Sequence, residues 1–284
     1  MVERRPILTF FSHLILMIGV AIVVFPVFLT LIGSTQTAEQ IATANPISLM
    51  PGGHMLETYQ LALFGGKTST GSTIGAVLPM MWVSLVTAIL IAVGKIAISL
   101  LSAFAIVYFR FPFKNIVFWM IFVTLMLPVE VRIGPTYEVV SNLGMLNSFA
   151  GLTVPLIASA TATFLFRQFF LTVPDELVEA ARIDGAGPMR FFMDVLLPLS
   201  KTSIAALFVI QFIYGWNQYL WPLLISTNED MYPIVLGIKR FIFGEGYVEW
   251  NVVMATAILA MLPPALVVML MQKWFVKGLV DTEK

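Results

Sequence analysis

The sequence predicts an all-α membrane protein with six transmembrane helices, and three observations lead to that fold class. Apolar residues make up 59% of the chain and charged residues only 11%, whereas soluble domains carry about 25% charged residues. Six apolar runs are each long enough to cross the hydrocarbon core of a bilayer. These runs do not alternate apolar and polar residues as barrel strands do, so helices are the remaining way to span the membrane with a satisfied backbone.

The predicted spans are the six apolar runs, at residues 13–33, 77–108, 116–137, 150–170, 203–226 and 252–276. Together they predict one membrane domain over residues 13–276, with an N-terminal segment at residues 1–12 and a tail at residues 277–284. The first run exceeds the roughly 7–15 apolar residues of a secretory signal, so we interpret it as an uncleaved helix. Adjacent prolines, Pro263 and Pro264, predict a kink or a break in the last span.

The distribution of lysine and arginine around the helix ends predicts the orientation. Most of them fall on one side of the predicted spans: Arg4, Arg5, Arg110, Lys114, Arg167, Arg182, Arg190, Lys201, Lys273, Lys277 and Lys284. The other side holds fewer: Lys67, Arg132, Lys239 and Arg240. Because positive residues collect on the cytoplasmic side, we expect cytoplasmic termini and a cytoplasmic loop at residues 171–202. The loops at residues 34–76 and 227–251 are then external.

The polar composition excludes several other classes of function. Sixteen basic residues balance sixteen acidic ones. The chain therefore lacks the excess of basic residues that would indicate nucleic-acid binding. The absence of cysteine excludes thiolate metal sites, and the two histidines lie in different segments. Gly66-Lys67-Thr68 is not a P-loop, because Leu61 stands where the leading glycine is required. The sequence lacks a cluster of nucleophile, base or metal ligands, so a membrane-embedded enzyme is not favoured.

The loop at residues 171–202 predicts two short helices joined by a turn. Pro174 is suited to the start of a helix, and Asp175 and Glu176 would follow in the first turn, where the helix dipole favours negative charge. Gly185 permits a tight turn, and Pro188 can begin a second helix. Leu177, Ala180, Ala181 and Asp184 are spaced to share one helix face. An amphipathic connector lying on the membrane surface would show the same pattern.

Within this loop, Glu179-Ala180-Ala181-Arg182-Ile183-Asp184-Gly185-Ala186, followed by Leu197-Pro198, resembles the EAA loop of binding-protein-dependent ABC importer permeases. The resemblance implies a coupling helix that docks in a cleft of a cytoplasmic ATPase. It assigns the ATPase-coupling role to Glu179, Ala180, Ala181, Asp184 and Gly185. It also implies that this chain binds no cofactor of its own and that ATP and Mg²⁺ are bound by the partner ATPase.

Further segments resemble the carbohydrate-importer branch of that family. They include Phe212–Pro222, Asn142–Ser148 and the ending Phe275–Leu279. This resemblance implies a multi-pass subunit of the bacterial inner membrane that works by alternating access. Its implied partners are a second, different permease subunit, a homodimeric ATPase, a periplasmic substrate-binding protein and the lipid bilayer, with no nucleic acid.

Within the branch, residues Thr124–Val140 and Ser159–Ala186 resemble permeases of sn-glycerol 3-phosphate importers. Sugar-importing relatives usually have uncharged residues where Glu130 and Arg132 stand, and this difference favours a phosphorylated substrate, sn-glycerol 3-phosphate or its glycerophosphodiesters. An importer of neutral sugars or oligosaccharides is the alternative. An ion-gradient-driven transporter is less favoured, because it predicts acidic residues at the centre of the spans.

Four polar residues near or within the spans are candidates for the substrate pathway. Lys95 interrupts an apolar helix, where a charge costs about 2.5–3.5 kcal/mol on insertion scales and should face the helix bundle or water. Arg132 carries the guanidinium fork that suits phosphate. Asn217 and Gln218 are amides within the fifth span. The alternatives are a snorkelling lysine, an arginine that pairs with Glu130 or a headgroup, and amides that join helices.

Overall fold

The computed structural model describes residues 6–44, 48–68, 71–124, 129–243 and 247–280. Its helices are, in chain order, α1 Pro6–Gly33, α2 Ala38–Thr43, α3 Met55–Phe64, α4 Val77–Tyr108, α5 Lys114–Val123, α6 Val129–Asn142, α7 Phe149–Thr153, α8 Ala160–Phe170, α9 Asp175–Ile183, α10 Pro188–Phe191, α11 Leu197–Leu199, α12 Lys201–Trp216, α13 Leu220–Ile225, α14 Ile234–Phe243 and α15 Trp250–Val280. Two-residue strands, β1 Gly66–Lys67 and β2 Thr73–Ile74, pair antiparallel. The predicted all-α membrane fold class is confirmed.

Among the described residues, three helices are long and apolar enough to cross a membrane. They cover Ile7–Gly33, Val77–Tyr108 and Trp250–Lys273. The second of these coincides with the apolar run at residues 77–108. The first helix begins at Pro6, seven positions before the predicted start, because proline suits the first turn. The last helix continues through Pro263 and Pro264 without interruption, so the predicted break is wrong.

The fourth predicted span, residues 150–170, is two helices rather than one. Phe149–Leu156 and Ala160–Phe170 form a pair bent by 50°. Pro155 has no N–H to donate to the preceding turn. Ser159 then caps the second helix, since its hydroxyl accepts a hydrogen bond from the Ala162 N–H.

The fifth predicted span, residues 203–226, is also interrupted. Helix α12 ends at Trp216, and α13 begins at Leu220. Pro222 would clash with the carbonyl of Gln218 in a continuous helix, and in the first turn of α13 this conflict is absent. At its other end, α12 forms a pair with Pro188–Leu199 that is bent by 72°.

The third predicted span, residues 116–137, falls partly outside the described residues. Helix α5 is a shorter apolar helix, and α6 contains Pro135. Residues 125–128 lie between the two helices and are not described. The described chain therefore holds three long spans, or five if each bent pair forms one span.

The chain divides into two compact units, whose boundaries fall inside α4, α14 and α15. One unit comprises Met1–Pro79 and Gly237–Leu262. Within it, buried Gln36 donates Nε2 hydrogen bonds to the Met50 and Ser48 carbonyls at 2.8 and 3.2 Å. The predicted external loop after α1 is therefore folded on itself.

The other unit comprises Met80–Leu236 and Pro263–Lys284. Its core consists of two apolar clusters, both of which contain residues of α4. One cluster is formed by Ile96, Leu100, Ala103, Phe104, Ala162, Phe166, Phe170, Phe191, Phe192, Leu196 and Leu207. The other is formed by Val83, Ile91, Val140, Leu152, Leu156, Trp221 and Ile225. Helix α4 is thus the shared wall against which the candidate functional residues are positioned.

Candidate functional site

The loop at residues 171–202 has the predicted helix–turn–helix form. Pro174 is the extended N-cap residue, and α9 begins at Asp175. Asp175 and Glu176 lie in the first turn, where their negative charge complements the exposed N–H groups of the helix end. The second helix, α10, begins at Pro188 and continues as a π-helical turn, Phe192–Leu196.

Gly185 ends α9 in a left-handed conformation, with φ of +71°. Its N–H donates to the Arg182 carbonyl at 3.0 Å, and the Ala186 N–H donates to the Ala181 carbonyl at 2.8 Å. These two bonds form a Schellman motif, which glycine adopts without steric penalty. Gly185 therefore has a structural role that fixes the direction of the chain after α9.

Helix α9 has an inward and an outward face, and they divide the predicted coupling residues. Val178 and Ala181 pack against the apolar cluster that contains Phe104. The outward face is formed by four exposed residues: Glu179, Ala180, Ile183 and Asp184. The face that Leu177, Ala180, Ala181 and Asp184 share by spacing is thus only partly exposed, because Ala181 at its edge packs against the core. Ile183 is 86% exposed, which is unusual for an isoleucine in a folded protein.

The inward face of α9 rests on what we term the aromatic cluster: Phe104, Tyr108, Phe170, Phe191 and Phe192. Ring centres lie 4.9 Å apart for Phe104 and Phe192, and 5.4 Å apart for Tyr108 and Phe191. The Tyr108 hydroxyl donates to the Phe170 carbonyl at 3.2 Å. Because these residues come from α4, α8, α10 and the turn that follows it, a displacement of α9 would be transmitted to all of these segments.

Lys95 lies within α4, is only 6% exposed, and contacts the neighbouring helix α12. Its Nζ atom lies 3.5 Å from the ring centre of Tyr214, a cation–π contact. Gln218 donates its Nε2 hydrogen bond to the Tyr214 carbonyl at 3.0 Å. Arg132 is exposed on α6. Asn217 is exposed at the end of α12, and among the described residues its side chain makes no hydrogen bond with Lys95, Arg132 or Gln218.

The helices that carry Lys95 and Tyr214, α4 and α12, approach each other closely at Gly215. A Cβ atom on Gly215 would lie 2.9 Å from the Cα atom of Ala88. Glycine therefore lets α12 lie directly against α4, one residue from Tyr214. The side chain of Glu130, the other charged candidate in this region, lies outside the described side chains.

A third feature, which we term the Asn147 clamp, joins the chain before α7 to the chain after α13. The Asn147 side chain donates to the Thr227 hydroxyl at 2.8 Å and accepts from the Thr227 and Asn228 N–H groups at 2.7 and 2.9 Å. The Trp221 indole donates to the buried carbonyl of Gly151 at 3.0 Å. Asn147 itself has φ of +52°, a conformation that asparagine tolerates better than most residues.

The described residues contain no group of three or more His, Cys, Asp or Glu side chains that could hold a metal ion. The candidate functional features of this part of the chain are an exposed helix face, a buried cation and a clamp between two segments.

Comparison with known proteins gives a family and several full-length relatives. Residues 95–281 match the family described as binding-protein-dependent transport system inner membrane component. The chain belongs to this family. Its full length is 60% identical to a Brucella melitensis protein, and both chains are covered completely. It is 58% identical, again over both complete chains, to proteins from Agrobacterium fabrum and Escherichia coli. All three are named sn-glycerol-3-phosphate transport system permease protein UgpE.

Among solved structures, the chain resembles a subunit of a bacterial ABC transporter involved in the import of the acidic polysaccharide alginate. The TM-score is 0.77 at 20% identity, and the match covers 97% of this chain and 99% of the other. This likeness shows the fold.

As a member of this family, the permease is a multi-pass transport subunit of the inner membrane and not an enzyme. It acts together with an ATPase and a substrate-binding protein. We did not predict from the sequence that Val178 packs against the core, although its spacing of three residues from Ala181 places it near the same side of the helix. We also did not predict Tyr214 as the partner of Lys95, since no local pattern links residues so far apart in the chain.

Proposed function

We propose that this permease imports sn-glycerol 3-phosphate, together with a second, different permease subunit, a homodimeric ATPase and a periplasmic binding protein. The observation that carries this proposal is the full-length identity of 58–60% to relatives named for that substrate. ATP and Mg²⁺ would be bound by the ATPase, and both termini of the permease would lie in the cytoplasm. Alternating access would then move the substrate inward.

In this proposal the outward face of α9 contacts the ATPase. Glu179, Ala180 and Ile183 would form the direct contact, because they are exposed and combine an acid, a small residue and an apolar residue. Ala181 would support the contact by packing α9 against the aromatic cluster, and Gly185 by ending the helix. Asp184, which is exposed beside this face, would complete the rim.

The proposed phosphate pathway uses Lys95 and Arg132. Both side chains are cations, Lys95 buried in α4 and Arg132 exposed on α6, and a phosphate dianion would be attracted to each of them. The Tyr214 ring of α12 lies against the Lys95 ammonium group and fixes its position between α4 and α12. Gln218, bonded to the same tyrosine, and Asn217 would offer amide groups to the glycerol hydroxyls.

ATP-dependent uptake into proteoliposomes that contain the complete complex tests the substrate. Labelled sn-glycerol 3-phosphate and a labelled neutral disaccharide are each supplied with the binding protein. Uptake of the phosphate ester alone is the expected result. Uptake of the disaccharide alone would identify a sugar importer and contradict the proposed substrate while leaving the family assignment intact.

The cation pathway is tested by Lys95→Gln and Arg132→Gln in the same assay, measured as the maximal uptake rate with saturating loaded binding protein. Loss of a charge-assisted hydrogen bond of about 1.5–3 kcal/mol predicts a rate lower by about tenfold or more. Lys114→Gln is the matched control, because it removes a cation at the start of α5. Rates within twofold of wild type for both variants would exclude these residues from the pathway.

A further inference from the structure

A cavity of about 270 Å³ lies between the last turn of α4 and the helices α9 and α10. Its inner wall is apolar and comes from Phe104, Tyr108, Phe191 and Val178. Phe104 and Phe191 are themselves buried, so these walls are fixed by the core. The cavity is therefore a defined recess behind α9.

The rim of the cavity is positively charged. Arg110 and Arg182 both line it, and none of its lining residues is acidic. Both arginines are exposed, and among the described residues neither makes an ion pair with a carboxylate. Arg190, in contrast, has a partner in the same loop, since it contacts Asp194 at 3.3 Å. Two unneutralised guanidinium groups above an apolar recess match an amphiphile with an anionic head.

The length of α4 also favours a position of the cavity near the lipid headgroups. Helix α4 has 32 residues and is therefore about 48 Å long, against about 30 Å for the hydrocarbon core. At least one end of α4 therefore lies outside the hydrocarbon, and Arg110, two residues beyond Tyr108, favours the Tyr108 end. The next residues, Phe109, Phe111 and Phe113, are exposed, as aromatic residues are at membrane interfaces.

We propose that this cavity binds one anionic phospholipid. The headgroup phosphodiester lies between Arg110 and Arg182, and the upper part of an acyl chain lies against Phe104 and Phe191. Basic pockets between membrane helices bind anionic lipids in this way. A protein partner fits less well, because the cavity is lined by Val178 and Ala181 of the inward face of α9. The lipid would support the helix from behind, and its binding does not depend on which substrate is transported.

The test uses the complete transporter, with its second permease and ATPase, in a mild detergent. The complex is incubated with phosphatidylglycerol or with phosphatidylcholine of the same chain length, and lipid that remains bound is counted by native mass spectrometry. One retained phosphatidylglycerol at this site is expected in the wild type. Arg110→Gln is expected to lower its retention about fivefold, from a loss of about one basic residue's attraction. Arg182→Gln is expected to act similarly.

Two further variants separate charge from folding. Arg190→Gln removes a cation from the same loop but not from the cavity rim, and it is expected to retain lipid as the wild type does. Arg110→Lys keeps a positive charge and is expected to retain most of the lipid. Equal retention of phosphatidylcholine, or unchanged retention in Arg110→Gln, would overturn the proposal. Retention of the lipid by the permease pair alone, but not by the complete transporter, would also overturn it and would assign the cavity to the interface with the ATPase.

Discussion

The Asn147 clamp and the loop at residues 171–202 lie at the two ends of the bent segment Phe149–Phe170 and are built in contrasting ways. The clamp joins distant parts of the chain by several hydrogen bonds, and one of them is buried. The loop turns its apolar Ile183 outward, and its ion pair between Arg190 and Asp194 is exposed. Exposed pairs of this kind contribute only about 0–1 kcal/mol. One end of the segment is thus fixed by its own chain, and the other leaves surface for another molecule.

This contrast predicts that substitutions in the clamp lower the stability of the subunit, whereas substitutions in the loop chiefly affect its partnership with the ATPase. The expected change in the free energy of unfolding is largest for substitutions in the clamp and smallest for those on the outward face of α9.

Gly151→Ala should have the largest effect. An added Cβ atom would overlap the carbonyl oxygen of Met145, a backbone atom that cannot move aside freely. Overpacking of this kind costs about 1–3 kcal/mol, so the thermal transition of the purified complex should fall by several degrees. Gly134→Ala is the control, because no atom lies within 4 Å of its added Cβ. An unchanged transition in Gly151→Ala would show that the clamp is not rigid.

Asn147→Ala should destabilise the subunit by about 1–3 kcal/mol, since it removes the side chain that bonds Thr227 and Asn228. Asn147→Gly removes the same bonds but suits the positive φ better. Alanine should therefore be the more destabilising of the two. If glycine were worse, as measured by the same thermal transition, the backbone conformation would not contribute to the clamp.

Gly185→Ala should destabilise the subunit by about 1–2 kcal/mol, the cost of a left-handed conformation for a residue with a Cβ atom. Its larger consequence should be weaker stimulation of ATP hydrolysis by loaded binding protein, because α9 would end differently. Gly187 lies in the same turn with φ of −72°, and its added Cβ would meet no atom within 4 Å. Gly187→Ala should therefore have the smaller effect on both measurements. Equal effects would show that the left-handed conformation of Gly185 is not what makes this position sensitive.

Ile183→Ser should have the smallest effect on stability, within about 0.5 kcal/mol, because the side chain is 86% exposed. It should nevertheless weaken recovery of the ATPase with the permease pair during affinity purification. The matched substitution is Val178→Ser on the inward face, which should lower stability instead. Full recovery of the ATPase with Ile183→Ser would show that the outward face of α9 is not the contact.

The features that were predictable depend on local sequence. The membrane fold follows from composition and from the length of apolar runs, and α4 coincides with its run because no proline interrupts its interior. The turn at Gly185 follows from glycine spacing, and its φ confirms it. In each case neighbouring residues alone decide the conformation.

The features that were missed depend on contacts between distant residues. The outward and inward faces of α9 differ because aromatic residues of α4 and α8 lie on one side of it. Asn147 is separated from Thr227 by 80 positions, and Lys95 is similarly remote from Tyr214. The interruption at residues 217–219 could nevertheless have been predicted from Pro222, because proline disfavours a continuous helix. Pro155 could have predicted the bend in the fourth span for the same reason.

Helix α1 bears on how the protein enters the membrane. In the stretch of α1 that best fits a span, none of the residues is buried by the described chain. The rest of the described chain therefore does not bury this stretch, and its own apolar side chains account for its preference for lipid. On insertion scales each Leu, Ile, Phe or Val at the centre of such a helix contributes about −0.3 to −0.6 kcal/mol. The translocon can release α1 into lipid as soon as it is synthesised, so that anchoring of the nascent chain precedes tertiary folding.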